Sequence, residues 1–339
     1  MRLLVIGSDK IYAIENIYVR YLRELGIDVY HFPAQSIFYN YYNKSILNKI
    51  FFKAGLSDIY KSINKNFRDI IKSFKPEVIL VFKGMEIFPN SLELAKSKGI
   101  KLINYNPDNP FIFSGKGSGN KNIINSFGLY DKHLTYNTEV RDIIEKEYKI
   151  PVKILPFGFN VSEDLYIKCV NQPEIIKACF LGNPDKERAE FIMSLAKEGI
   201  LLDVYGNDWN KWINHPNIVV YPPVLGEDLW KTLRRYRVQL NLMRIHNLNS
   251  HNMRSFEVPG VGGIMVAPET TEHQLYFENR REIFLYTSGA NCARTIRELL
   301  SLSFTEANEI RQNARSRSVL SNYSYKDRAK QLLTELQGL

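Results

Sequence analysis

Two apolar runs, Glu77-Val78-Ile79-Leu80-Val81-Phe82 and Lys101-Leu102-Ile103-Asn104-Tyr105, flank a helical stretch from Ser91 to Lys98 that closes at Gly99. Short continuous apolar runs joined through a helix are the pattern of a parallel sheet covered on both faces. Working outward, Leu3 to Gly7 and Val29 to Phe32 read as strands, with a helix from Glu15 to Leu25 stopping at Gly26. A helix from Phe67 to Phe74 ends before Pro76, and one from Thr138 to Tyr148 leads through Pro151 to a strand at Val152 to Leu155.

After Pro156-Phe157-Gly158-Phe159-Asn160 the pattern becomes irregular until Ile175, and a second series of strands and helices follows. Its strands are expected at Lys177–Leu181, Leu202–Tyr205, Ile218–Tyr221, Val238–Leu242, Gly263–Ala267 and Ile283–Tyr286. Helices are expected at Asp228–Arg235, Thr305–Leu320 and Tyr325–Leu336. The 339 residues suit two domains of ordinary size. We therefore expect an α/β chain of two Rossmann-like, doubly wound domains facing across a cleft: 1–160, 161–320, and a final helix in 321–339 that packs back toward the first.

Hydrophobic residues make up 45% and charged residues 24%, a globular balance. Apolar runs such as Val78 to Phe82 and Gly260 to Ala267 are far below the ~20 residues of a spanning helix. The N-terminal run is likewise too short for a signal segment, so the expectation is a cytoplasmic protein. Cys169, Cys179 and Cys292 show no paired spacing, and the six histidines form no HExxH or HxxxH motif; no metal and no cofactor are expected. The formal charge of +9 is partly local. Between Tyr39 and Lys75, eight basic residues are interleaved with aromatic ones. That stretch reads as amphipathic helices with aromatics in the core, or as a segment lying on an anionic membrane.

In open parallel sheets, ligands gather at the carboxyl ends of strands. Gly7-Ser8-Asp9-Lys10 is neither GxGxxG nor a P-loop, which argues against a nicotinamide or flavin site there. Asn249-Ser250-His251-Asn252-Met253-Arg254-Ser255-Phe256-Glu257 is more informative, with Pro259-Gly260-Val261-Gly262-Gly263 behind it. Arg254 offers a planar positive fork, and Glu257 a carboxylate that can accept two hydroxyls at once. Asn252 suits a phosphate contact or a helix cap. His246 is a catalytic candidate and His251 a donor-binding one, each with a purely structural role as its alternative.

This passage resembles the glycosyltransferase group 1 family, and most closely its CgeB-like branch, in the Arg-x-Phe-Glu segment followed by a small-residue helix and Gly-Gly. Phe180-Leu181-Gly182-Asn183 with Arg188 is similar to the family's first strand and phosphate-facing loop. The stretch Asn217 to Val224 resembles its base-contacting turn, Pro156-Phe157-Gly158 its hinge, and Asn106-Pro107-Asp108-Asn109-Pro110 the branch's Asp-x-Pro loop.

The resemblance implies a metal-independent GT-B glycosyltransferase that moves a sugar from a nucleotide diphosphate donor to a glycan, lipid-linked or protein acceptor. Glu257 would bind the donor ribose, Arg188 and Arg254 the diphosphate, and the backbone around Pro223 and Val224 the base, while Asp108 would sit near the reacting sugar. Asn249 stands where the family pattern has a second glutamate, which puts a mechanism leaning on that glutamate in doubt. Two other readings are a nucleotide-sugar epimerase of the same fold and a membrane- or polyanion-binding module. The second leaves the Arg254–Glu257 passage unexplained, which counts against nucleic acid as partner.

Overall fold

A computed structural model describes residues 1–112, 119–244 and 249–339. The chain divides into two compact units, Met1–Pro156 with Tyr325–Leu339, and Phe157–Ser324. Among the described residues the two units carry two six-stranded sheets, and every pairing within them is parallel.

In the first unit the elements run β1 (Arg2–Ile6), α1 (Ile14–Glu24), β2 (Asp28–Phe32), α2 (Ala34–Lys44), α3 (Ile46–Lys53), α4 (Ile59–Phe74), β3 (Val78–Phe82), α5 (Pro89–Ser97) and β4 (Lys101–Asn106). They continue with α6 (Lys121–Ser126), β5 (Lys132–Thr135), α7 (Thr138–Tyr148) and β6 (Val152–Ile154). The sheet order is β2-β1-β3-β4-β5-β6. All five residues of β3 are buried, because it lies inside the sheet with helices over both faces. β5 escapes the sequence pattern: it is four residues long, and its buried His133 interrupts the apolar run. Here the His133 Nε2–H donates to the Phe127 carbonyl at 3.1 Å.

The second unit runs α8 (Glu163–Val170), β7 (Ile175–Leu181), α9 (Lys186–Lys197), β8 (Leu202–Tyr205), β9 (Ile218–Tyr221), α10 (Gly226–Arg235), β10 (Tyr236–Leu240) and α11 (Arg254–Gly260). β11 (Met265–Pro268), α12 (Thr271–Tyr276), β12 (Phe284–Tyr286), α13 (Gly289–Ser301) and α14 (Phe304–Leu320) follow. The order β12-β11-β10-β7-β8-β9 reverses direction between β7 and β10, which makes that pair the topological switch point. α8 occupies part of the stretch that reads as irregular in sequence; Ser162 starts it by accepting the Leu165 N–H.

The division of the chain falls four residues before the Asn160 boundary expected from sequence. The reason is local: a Cβ on Gly260 would come within 2.4 Å of the Phe159 ring, and the Phe159 N–H donates to the Tyr323 carbonyl. The final helix, α15 (Tyr325–Gln337), packs on α1 in the first unit. Tyr325 meets Tyr18 edge to face, and Lys132 pairs with Glu335 at 3.0 Å.

At the amino ends of β7 and β10, Glu174 binds Arg237 through both oxygens, at 2.7 and 2.8 Å, and also takes Arg311 from α14 at 2.5 Å. Both arginines are almost fully buried. Removing the carboxylate strands two buried cations, so Glu174→Ala should cost ~3–5 kcal/mol of stability, measured by urea unfolding.

Acid should also destabilise the fold. Burial lowers the pKa of His133 and of His273 on α12 from 6.5 to about 4, so both are neutral when folded. The unfolded chain binds more protons between pH 6.5 and about 4, and stability falls as pH is lowered through that window, by up to ~3 kcal/mol per ring. Melting temperatures recorded from pH 7 to pH 4.5 should drop, and replacing both rings with Asn should flatten the curve.

Candidate active site

The switch point in the second unit is fastened by Arg188. Asp185 caps α9 by accepting the Arg188 N–H at 2.9 Å, which aims the arginine side chain back across the strand ends. Its guanidinium donates to the Asn183 carbonyl at 3.1 Å and to the Leu242 carbonyl at 2.8 Å, tying the loop after β7 to the loop after β10. Burial pushes its pKa down to about 10; Asp185 opposes this, while Arg244 and Arg254 lower it further. Arg244 and Arg254 are thus near enough to act on the Arg188 charge. Arg188 Nε and Arg254 Nε have no hydrogen-bond partner among the described residues. Arg244 is exposed. A cluster of this kind, only partly matched by carboxylates, attracts a polyanion.

Arg254 and Glu257 lie one turn apart on α11 and pair through Arg254 NH1 and Glu257 Oε2. Glu257 is buried. α11 is seven residues long with Pro259 inside it, and Gly262 takes φ +72° in the turn that follows.

A polar network fixes the first turn of α11. Asn252 Oδ1 accepts the Ser255 N–H at 3.2 Å just ahead of the helix, and its Nδ2 donates to Asn241 Oδ1 at 2.8 Å. Asn241 Nδ2 donates to Ser255 Oγ at 3.1 Å, and Ser255 lies 2.8 Å from His273 Nε2. With His273 Nδ1–H on the Pro268 carbonyl at 2.8 Å, the neutral ring accepts from the serine.

His251 requires a correction. The sequence reading offered it as a donor contact, but it is fully buried, enclosed by Phe157, Phe256 and Tyr276, with Nδ1 2.5 Å from Glu272 Oε2. The same oxygen accepts from Ser250 Oγ at 2.6 Å. His251 therefore anchors the loop instead of facing a ligand. Asn249 is exposed at the start of this loop, and His246 lies outside the described residues. Pro223 and Val224 follow β9 at the sheet edge, two strand spacings or ~10 Å from β7.

Sequence reasoning missed Arg244, Asn241, Ser255, Glu272 and His273. Nothing in a linear pattern marks Glu272, which reaches the loop from α12, although a glutamate next to an apolar helix end is a weak hint of a buried partner. An open pocket of about 470 Å³ at the ends of β11 and β12 is lined by Glu269, Thr270, Gln274 and Thr287 among others, and by none of the predicted site residues.

In the first unit, Asp108 follows β4 and accepts from Lys83, which follows β3, at 2.5 Å. Burial works against the lysine charge, but Asp108 outweighs it and the lysine pKa rises. Nearby, burial pushes the Glu86 carboxyl up to about 7. Asn106 Oδ1 accepts the Asp108 N–H at 3.0 Å, an Asx turn that shapes the loop. Gly7 admits no side chain, since a Cβ would come within 2.6 Å of Glu15. Among the described residues no group of histidine, cysteine and carboxylate side chains could hold a metal ion.

Residues 187–334 match the family described as glycosyl transferase-like. The fold is shared with several solved structures. The sucrose-phosphate synthase of Thermosynechococcus elongatus aligns with TM-score 0.66 at 11% identity, over 100% of this chain and 98% of that one. The E. coli trehalose-6-phosphate enzyme bound with UDP-2-fluoro glucose gives 0.67 at 11%, over 100% and 99%. The UDP-GlcNAc 2-epimerase of Neisseria meningitidis, bound to UDP-GlcNAc, gives 0.57 at 13%, over 100% of both. No curated protein matches the chain. Two parallel six-stranded sheets with this likeness have the GT-B fold, and the glycosyl transferase-like match lies within it, over residues 187–334.

Glu272→Ala would leave two buried polar groups, on Ser250 and His251, without their shared acceptor. The variant should lose ~1–3 kcal/mol of stability, and hydrogen exchange should quicken over residues 249–255 before the rest of the unit.

Proposed function

We propose that the chain transfers a sugar from a nucleoside diphosphate sugar to the hydroxyl of a glycan, lipid-linked or protein acceptor. The observation that carries the donor assignment is the bridge that Arg188 makes between the loops after β7 and β10, with Arg244 and Arg254 near enough to act on its charge and Arg254 paired with Glu257. In this reading Arg244 and Arg254 contact the diphosphate directly, with Arg188 holding the two loops and adding charge from behind. Glu257 accepts the ribose hydroxyls, and the turn at Pro223–Val224 faces the base. The segment Arg254-Ser255-Phe256-Glu257 with Gly262-Gly263 supports placement in the CgeB-like branch.

The reaction breaks the bond between the sugar's anomeric carbon and the diphosphate oxygen and forms one to the acceptor oxygen. The departing diphosphate gains charge, which the guanidinium groups stabilise without reorganising. The acceptor proton passes to a carboxylate, for which we propose Asp108, with Lys83 orienting it. Because arginines supply the positive charge, the proposal assigns no step to a metal ion.

Calorimetry with uridine and guanosine diphosphates tests the donor site. Glu257→Ala should weaken binding about tenfold or more with the melting temperature of the free protein little changed; unchanged affinity would remove the ribose assignment. Arg254→Ala should cost more for a diphosphate than for the matching monophosphate. In transfer assays Asp108→Asn should lower kcat by ~10²–10⁴, and activity should survive a chelator. Rapid epimer formation from the donor alone, without acceptor, would favour the epimerase reading.

A further inference from the structure

We propose that α3 and the turn after it form a docking surface for an anionic lipid bilayer. The basic, aromatic stretch noted in the sequence separates in the structure into two parts. Phe38 and Phe67, on α2 and α4, are core residues, and Tyr42, Phe52 and Tyr60 pack against that core. α3 itself contributes no buried residue. Phe52 is its inward anchor, at 4.8 Å from the Phe38 ring and 5.3 Å from Tyr60. The rest of its apolar surface lies open: Ile46 is 76% exposed, Leu47 61%, Ile50 53% and Phe51 46%, with Leu56 in the following turn at 73%. Ile46 with Ile50, and Leu47 with Phe51, are neighbours four apart on one surface of the helix.

Charge identifies the occupant. From Ala34 to Ser57 there is no acidic residue, while Lys44, Lys49 and Lys53 accompany the apolar side chains. The next acid, Asp58, is already paired with Lys61 at 2.8 Å. A second copy seated symmetrically would bring lysine against lysine. A single-stranded nucleic acid calls for aromatic platforms and arginine forks, whereas this surface is mostly aliphatic and carries lysine alone. Aliphatic side chains reaching just below the headgroups, with lysines among lipid phosphates, match an interfacial helix. No helix among the described residues is long and apolar enough to cross a membrane, so the contact would be peripheral. This surface is independent of the donor site.

The test is sedimentation of the full chain with phosphatidylcholine vesicles, either pure or with roughly a third phosphatidylglycerol. Binding should require the anionic lipid and fall steeply with salt. Leu47→Asp with Phe51→Asp should reduce the bound fraction about tenfold, and Leu47→Ser with Phe51→Ser should reduce it less, both with unchanged melting temperature and nucleotide affinity. Replacing Lys44, Lys49 and Lys53 by Gln should abolish the preference for anionic vesicles. The proposal is overturned if the wild-type chain stays in the supernatant at low salt, or if the aspartate variant binds as well as wild type. It is equally overturned if light scattering shows a dimer that this variant splits, or if the variant's lost binding is to single-stranded RNA instead of vesicles.

Discussion

The guanidinium of Arg188 joins the loops after β7 and β10, and the candidate site depends on that bridge. Parallel sheets leave their strand-end carbonyls without partners, and at the switch point two adjacent loops diverge to opposite faces. Arg188 satisfies one carbonyl from each loop with a single rigid group, so the two cannot separate without exposing both acceptors. Burial makes the arrangement costly unless the charge is solvated by something, and Asp185 meets only part of that need. Arg244 and Arg254 add to that cost, since each lowers the Arg188 pKa further.

Around this bridge, rigidity is built from neutral hydrogen bonds. Asn241, Asn252, Ser255 and His273 form a network in which donor and acceptor roles are all consistent with one neutral tautomer of the histidine. It orients α11, and with it the Arg254–Glu257 pair, from beneath. Glu272 does the same for the preceding loop through Ser250 and His251. Neither network needs to touch a ligand. Each limits how far a ligand-facing group can wander, which is where positional precision in such a site comes from.

The first unit handles charge differently. Lys83 and Asp108 neutralise one another at adjacent strand ends, with Glu86 buried close by and poised near neutrality. The charged pair leaves little net charge at these strand ends, and Lys83 offsets part of the rise that burial causes in the Glu86 carboxyl. The two units thus share a fold while their strand ends present opposite electrostatic characters: excess cation in one, balanced and titratable groups in the other.

What the amino-acid sequence determined alone was the alternation of buried strands and helices, hence two doubly wound units, because period and apolar run length are local properties. It also singled out Arg254 and Glu257, since two charged groups inside an apolar segment are conspicuous without any structure. β5 and α8 escaped because one is short and interrupted by a buried histidine, and the other has its apolar side chains only half covered. Tertiary structure alone decided that His251 turns inward onto Glu272, that Asn252 binds Asn241 and Ser255, that Arg188 ties two loops together, and that α3 stays uncovered while its neighbours are core. Each of these depends on which side chain from a distant segment arrives to satisfy a donor, balance a charge or cover a face, and a linear pattern carries no record of that.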